Sequence, residues 1–421
     1  MNSNEGSLIQ SPGSLFGDEV ELITDKISAS EISLHNYIST ENMIRNCGGV
    51  VTASSLPKVN KFNLFDEKDT LFSNIRTYFR KVWLAGFSGG ASADVLVFRT
   101  KNSSKLDPRF LYYLVSNKEF IDFTDRTSKG VKMPRGDKNA IVKYPLHLPS
   151  INEQKAIASV LGVLDDKIEN NRQMNETLEE MARAIFKSWF IDFDPVHAKA
   201  AGNPPAHMDT DTAALFPNSF GDHGLPVGWE QKNVLETFDF TMGQSPPSST
   251  YNEEKNGIPF WQGRRDFGFR FPSNRVYCTA PTRFANEGDT LISVRAPVGD
   301  VNRALERCCI GRGVAALMHK SKLASYTYYT ALELREQFKV YEAIGTVFGS
   351  INKAEFGKLK IIASDGGIED VFESLVSTLD SKILNNHLEI ETLENLRDTL
   401  LPKLMSGEVH VKDAEREVED L

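Results

Sequence analysis

The stretch LDDKIENNRQMNETLE, Leu164–Glu179, returns 215 positions later as LDSKILNNHLEIETLE, Leu379–Glu394. Around the first copy, Leu161, Leu164, Ile168, Leu178, Ile185 and Trp189 recur three and four residues apart once Asn171, Asn175 and Ala182 fill the gaps. That period belongs to a helix with one buried stripe. Ser150 followed by Glu153 supplies an N-terminal capping box, and Pro195 forbids continuation at the far end. One long helix is therefore expected over 150–194, a rod of roughly 60 Å at 1.5 Å per residue. Around the second copy Val376, Leu379, Ile383, Ile390, Leu393, Leu400 and Leu404 keep the same register, and a second long helix is expected over 367–408. Asn171 maps onto Asn386. A polar residue at a seam position weakens the seam but fixes register and partner. The two rods are expected to pack on each other.

The duplication extends beyond the rods. KDTLFSNIR (Lys68–Arg76) resembles GDTLISVR (Gly288–Arg295), and GGASADVLVF (Gly89–Phe98) resembles GRGVAALM (Gly311–Met318). RTSKGVKMPRGDKNAIVKYPLHLPS and EAIGTVFGSINKAEFGKLKIIAS occupy matching places before each rod. Short β-branched and aromatic runs alternate with Gly, Pro and Asn turn signals. Helical stretches such as DPRFLYYLVSNKEFIDF and LASYTYYTALELREQFKVY intervene. The expected class is α+β, with globular units over 1–149 and 226–366, an internal pseudo-two-fold repeat, and an antiparallel coiled coil of the two rods. The Gly-, Pro- and Ala-rich stretch 195–225 reads as a linker, and 409–421 as an acidic tail.

The chain has 421 residues, 40% of them hydrophobic and 25% charged, and a net charge of −9. MNSNEGSLIQSPGS has no basic segment followed by an apolar run, so it does not read as a signal peptide. No stretch approaches the roughly 18 apolar residues that span a bilayer. Four cysteines form no disulfide framework, and a reduced cytoplasmic protein is expected. The negative total conceals uneven charge. Between Ile258 and Lys320 ten Lys and Arg stand against five Asp and Glu, and 62–143 is also basic. Such islands are either anion-binding surfaces or ordinary solvated faces.

Catalytic patterns are scarce. GNPPA (Gly202–Ala206) contains the Asn-Pro-Pro of adenine methyltransferases, but Ala206 stands where an aromatic would stack on the flipped base. The Gly-rich turns at Gly86, Gly89, Gly90, Gly311 and Gly313 lack a P-loop ending and read as strand turns. Neither a His-Glu-x-x-His helix nor a Cys-x-x-Cys pair is present, so no metal site is expected. Binding chemistry is richer. FWQGRRDFGFRFPSNRVY (Phe260–Tyr277) interleaves Arg264, Arg265, Arg270 and Arg275 with aromatics, and Arg295 follows the next strand. Arginine forks suit guanine edges and phosphates. In the first unit Asn74, Arg76, Tyr78, Arg80, Lys129, Lys132 and Arg135 offer similar material.

The stretches IENNRQMNETLEEMARAIFKSWFIDFDPVHAKA and LENLRDTLLPKLMSGEV, with the duplicated layout, resemble the DNA-specificity subunit of type I restriction–modification systems. The second unit, from GQSPPSSTYNEE through IPFWQG to CCIGRGVAAL, resembles a target-recognition domain of that family; the first, lacking a Gly-Trp like Gly228–Trp229, matches less tightly. The resemblance implies a non-catalytic subunit with two target-recognition domains on double-stranded DNA, each reading one half of a split sequence. It implies helices that set the half-site spacing, with Leu164, Ile168, Asn171, Leu178, Leu379, Ile383, Asn386 and Leu393 forming the spacer and partner-docking region. Two methyltransferase subunits would dock there, and restriction subunits would join through them. S-adenosylmethionine, ATP and Mg would then serve the partners, with no cofactor in this chain. The alternatives are a self-contained DNA methyltransferase and a coiled-coil scaffold without DNA contact.

Overall fold

The computed structural model describes residues 13–221, 223–342, 349–364 and 367–419. The reading of the first fourteen residues falls almost wholly outside these, as do 343–348 of the repeated stretch before the second rod and the last two tail residues. The protein is mixed α+β and divides into two compact units. Unit 1 comprises Met1–Asn171 with Leu388–Leu421, and unit 2 comprises Arg172–His387. The long helices are α1, Ile151–Phe190, and α2, Ile368–Ser406, and each contributes one half to each unit.

Unit 1 holds a four-stranded antiparallel sheet in the order Val20–Leu22, Val95–Thr100, Thr70–Ser73, Val82–Leu84. The Thr70–Ser73 strand is buried on both faces, with Leu71 and Phe72 between the buried hydroxyls of Thr70 and Ser73. A second sheet orders Lys26–Ser28, Lys61–Phe65, Gly89–Ala91 and Tyr37–Ile38, the last pairing parallel. The helices Pro108–Ser116 and Lys118–Arg126 bring Phe110, Tyr113 and Phe120 into a core with Phe16, Phe72 and Phe98. Ile157, Leu161, Leu164 and Ile168 of α1 join that core, together with Ile390, Leu393, Leu400 and Leu404 of α2. At the start of α1, Ser150 Oγ accepts the Glu153 N–H at 3.3 Å. Asn171 Nδ2 donates to Glu389 Oε2 at 2.9 Å, while Asp165 lies beside Arg397, so the helix halves in unit 1 run antiparallel.

Unit 2 repeats the strand order of the first sheet: Phe238–Met242, Val314–His319, Thr290–Ser293, Val301–Arg303, all antiparallel. Its second sheet has five strands, in which Ile258–Trp261 and Cys308–Ile310 pair parallel. The core combines Phe186, Trp189 and Phe190 of α1 with Phe372 and Val376 of α2, under Tyr326, Tyr328 and Tyr329. Between the helix halves Asn386 Nδ2 donates to Asn175 Oδ1 at 2.9 Å, and Asn175 Nδ2 reaches the Ile383 carbonyl at 3.3 Å. Both asparagines are buried, so each amide finds a partner where an apolar neighbour would leave it unpaired. Leu178 and Leu379 are half-buried, and Ile383 is fully buried.

Two segments depart from expectation. The 195–225 stretch is not a free linker: it forms the helices Asp194–Ala200 and Thr210–Leu215 and buries Val196 and Phe216 in the unit 2 core. Phe216 sits edge-on to Trp189, 5.3 Å between centroids, and burial of such aromatics outweighs the Gly and Pro content around them. The tail is also ordered where it is described. Gly407, at φ +75°, ends α2 in the left-handed conformation that glycine adopts without penalty. The helix Val411–Glu419 follows and packs Ala414 into the unit 1 core, with Val411 and Val418 partly buried beside it. Their i, i+3, i+7 spacing is a narrow apolar stripe within an otherwise charged segment.

Candidate nucleic-acid interface

In unit 1 the chain leaves the Thr70–Ser73 strand into a loop, 74–80, that is bonded along its backbone to a hairpin over 129–135. Lys129 and Arg135 exchange both backbone bonds, 2.8 and 2.9 Å. Arg76 N–H donates to the Pro134 carbonyl at 2.9 Å, Gly136 N–H to the Asn74 carbonyl at 3.1 Å, and Arg76 Nη2 to the Lys132 carbonyl at 3.3 Å. Two segments far apart in sequence thus become one surface feature, carrying Arg76, Tyr78, Lys129, Lys132 and Arg135 in exposed positions. Arg76 holds a left-handed backbone at φ 51°, which strains a residue with a β-carbon and is typical of functional loops. Gly136 is required by close approach: a β-carbon there would lie 2.7 Å from Asn74 Oδ1.

Unit 2 builds the same junction at the end of Thr290–Ser293. Arg295 bridges Ser350, Ala296 N–H donates to the Gly349 carbonyl at 2.9 Å, and Ile351 N–H to the Val294 carbonyl at 3.1 Å. Arg264 ion-pairs with Asp300, whose backbone carbonyl accepts from Ser293 N–H, so the Arg264–Arg265 loop is tied to the turn that bears Arg295. Arg264, Arg265, Arg275, Arg295 and Phe269 are exposed, and Arg275 lies 3.3 Å from Asp266. Sequence reasoning passed over Arg312. The parallel pairing of Ile258–Trp261 with Cys308–Ile310 brings the exposed Arg312 turn beside this loop, where Gly311 N–H donates to the Trp261 carbonyl at 2.8 Å.

Three residues expected to face DNA are placed elsewhere. Arg270 is 1% exposed. Its Nη2 lies 2.5 Å from Asp380 on α2, its Nη1 2.9 Å from Tyr329 Oη and 3.4 Å from Glu179 on α1, and its Cζ stacks 4.1 Å from the Tyr328 ring centre. Burial pushes the Glu179 carboxyl up, against the pull of Arg270. Arg80 turns away from the surface and clamps Asp398 of α2 through both terminal nitrogens, at 3.0 and 3.2 Å. Asn74 is buried under Gly136. The two arginines share one cause, since a guanidinium near a carboxylate of a long helix is held inward by a partner that lies far off in sequence.

These clamps expose a pair of sites that the twin stretches had already carried. Asp165 and Asp380 are the second residues of the two copies. Tyr113 Oη donates to Asp165 at 2.6 Å, and Tyr329 Oη to Asp380 at 3.3 Å. In unit 1 the buried cation is Arg397, whose Nη1 lies 2.9 Å from Asp165. In unit 2 it is Arg270, helped by Arg303 at 2.8 Å from Asp380. Each repeated aspartate thus binds a helical tyrosine of the globular part to the long helix.

Among the described residues no cluster of His, Cys, Asp and Glu could hold a metal ion, and no helix is long and apolar enough to cross a membrane. Asn203 lies in an exposed turn with its N–H on the Ala198 carbonyl, 2.9 Å away. Exposure there offers no pocket in which a flipped base could stack.

Residues 25–180 match the type I restriction modification DNA specificity domain. The chain is 28% identical over 321 residues to a Methanocaldococcus jannaschii protein assigned as the type I restriction enzyme MjaX specificity subunit, covering 75% of this chain and 72% of that one. It is 25% identical over 369 residues to the type I restriction enzyme HindI specificity subunit of Haemophilus influenzae, covering 73% and 79%. The fold is shared with the crystal structure of the type I restriction–modification S subunit from M. genitalium at a TM-score of 0.53 and 17% identity, over 96% of this chain and 98% of that one.

Proposed function

We propose that the chain, whose residues 25–180 match the type I restriction modification DNA specificity domain and which is similar to type I specificity subunits, reads a bipartite double-stranded DNA target, one half-site per unit, and performs no chemistry itself. The observation that carries this reading is the paired junction. Each unit ends its central strand in a loop bonded to a second loop at the same topological place, with exposed cations at Arg76, Lys132 and Arg135 in one and Arg264, Arg265 and Arg295 in the other. Exposed arginines and lysines give salt-dependent phosphate attraction, and a few forks can add base discrimination of roughly 1–3 kcal/mol per good contact.

In this reading the chain is an internal pseudo-two-fold repeat, and the helix pair is an antiparallel coiled coil that sets the spacing between half-sites. Leu164, Ile168, Asn171, Ile383, Asn386 and Leu393 are buried and belong to the spacer itself. Docking of two methyltransferase subunits falls to the apolar residues that α1 exposes at Val163, Met174 and Met181 and α2 at Leu375 and Leu388, which are costly to leave in water along a helix. S-adenosylmethionine, ATP and Mg would serve those partners and the restriction subunits that join through them, in the cytoplasm.

The spacing role has a direct test. Inserting one heptad in each of α1 and α2 adds roughly 10 Å of rise, the length of about three base pairs. In the complex with methyltransferase subunits, the expected result is methylation of the same half-sites across an altered spacer. An unchanged spacer contradicts the helices as the measure.

A further inference from the structure

We propose that Val131 and Met133, at the tip of the 129–135 hairpin, form an apolar wedge that enters the base stack of the half-site read by unit 1. This rests on the reading of unit 1 as a DNA reader and goes beyond it, from contact to deformation. Val131 is 101% exposed and Met133 54%, although both are apolar and neither packs on the unit 1 core. A surface loop left in water has no need of two such residues flanking Lys132.

The tip is held rather than loose. Lys129 and Arg135 close the hairpin through two backbone bonds, and Gly130 takes φ +103° to make the turn. Arg76 supports the other side, its strained backbone through the Pro134 carbonyl and its guanidinium through the Lys132 carbonyl. A wedge needs this stiffness, since a soft loop would fold back before it could separate stacked bases. The surroundings name the occupant. Residues 126–138 carry Arg126, Lys129, Lys132, Arg135 and Lys138 against Asp137 alone. Lys129 and Arg135 remain 76% and 57% exposed even while paired with Asp137 and Asp94. An apolar tip ringed by cations fits a polyanion whose interior is apolar, which describes stacked DNA. Apolar side chains inserted between base steps unstack them, and the cost is offset by the added backbone contact.

The test uses the full chain assembled with its methyltransferase subunits on a target duplex. Permanganate oxidation reports unstacked thymines; those paired with the methylated adenines are set aside, because base flipping by the partners exposes them. The expected result is one reactive step in a single half-site. In Val131→Ser/Met133→Ser its reactivity falls by roughly tenfold, a shift of about 1.4 kcal/mol in the stacking equilibrium. The salt dependence of binding stays unchanged, because no cation has been removed. A duplex bound normally, with the reactive step absent or insensitive to the double substitution, overturns the wedge and leaves the DNA reading intact. Failure of the wild-type complex to prefer its target overturns the reading beneath it.

Discussion

Arg270→Ala is expected to destabilise unit 2 by about 3–5 kcal/mol, the usual cost of removing one partner from a buried ion pair. The guanidinium is 1% exposed and faces Asp380, Glu179, Tyr329 and the ring of Tyr328 at once. Its loss leaves Glu179 beside Asp380, which keeps Arg303 and the Tyr329 hydroxyl. Arg270→Lys should recover little, since an ammonium cannot serve two carboxylates and lie flat on an aromatic ring together. Hydrogen exchange of the Phe238–Met242 and Val314–His319 strands measures the effect locally, and unchanged protection in Arg270→Ala would show that the network is not what binds the loop to the helices. A change at the exposed Arg265, five residues earlier, should leave that protection alone.

Arg397→Ala should cost unit 1 a similar amount, about 3–5 kcal/mol, for the same physical reason with the geometry reversed. Here the cation comes from α2. It is 3% exposed and reaches Asp165 at 2.9 Å, the neighbouring Asp398 at 3.2 Å, and the Asn46 carbonyl at 3.4 Å. Without it the Asp165 carboxylate loses its buried cation and keeps the Tyr113 hydroxyl, while Asp398 depends on Arg80. Arg80 closes the 74–80 loop, so the disturbance should pass to Arg76 and Tyr78. The expected signature is faster exchange at both the Thr70–Ser73 strand and the 74–80 loop, and an effect confined to α2 would contradict it.

The helices were legible because their cue is local: a three-and-four spacing of apolar residues, broken by Asn171 and Asn386, needs no knowledge of what lies opposite. The central strands were legible for a like reason, as DTLFS and DTLIS are short, matching, β-prone stretches bounded by turn signals. The clamps were not, because Tyr113 and Asp165 are 52 residues apart and Tyr329 and Asp380 are 51 apart. The repeat displayed all four residues, yet nothing in a sequence says that a repeated aspartate meets a repeated tyrosine. Arg270 misled for the same reason. Its neighbours Arg264 and Arg265 are exposed, whereas Arg270 lies among the buried Phe271, Tyr328 and Tyr329. Composition also misjudged 195–225 and 409–421, where a few apolar residues, Val196 and Phe216 in one and Ala414 with Val411 and Val418 in the other, anchor otherwise polar segments.

Each unit is expected to read its own half-site, and affinity measured on half-altered duplexes tests this most directly. The chain with its methyltransferase subunits would be compared as wild type, Arg76→Ala/Lys132→Ala and Arg264→Ala/Arg265→Ala, on duplexes in which one half-site or the other is scrambled. Each double substitution should cost roughly 1–3 kcal/mol on the intact target. The base-specific component of that cost should vanish on one scrambled duplex and persist on the other, with the two variants showing opposite patterns. Equal losses on both duplexes, for both variants, would contradict a division of the target between the units.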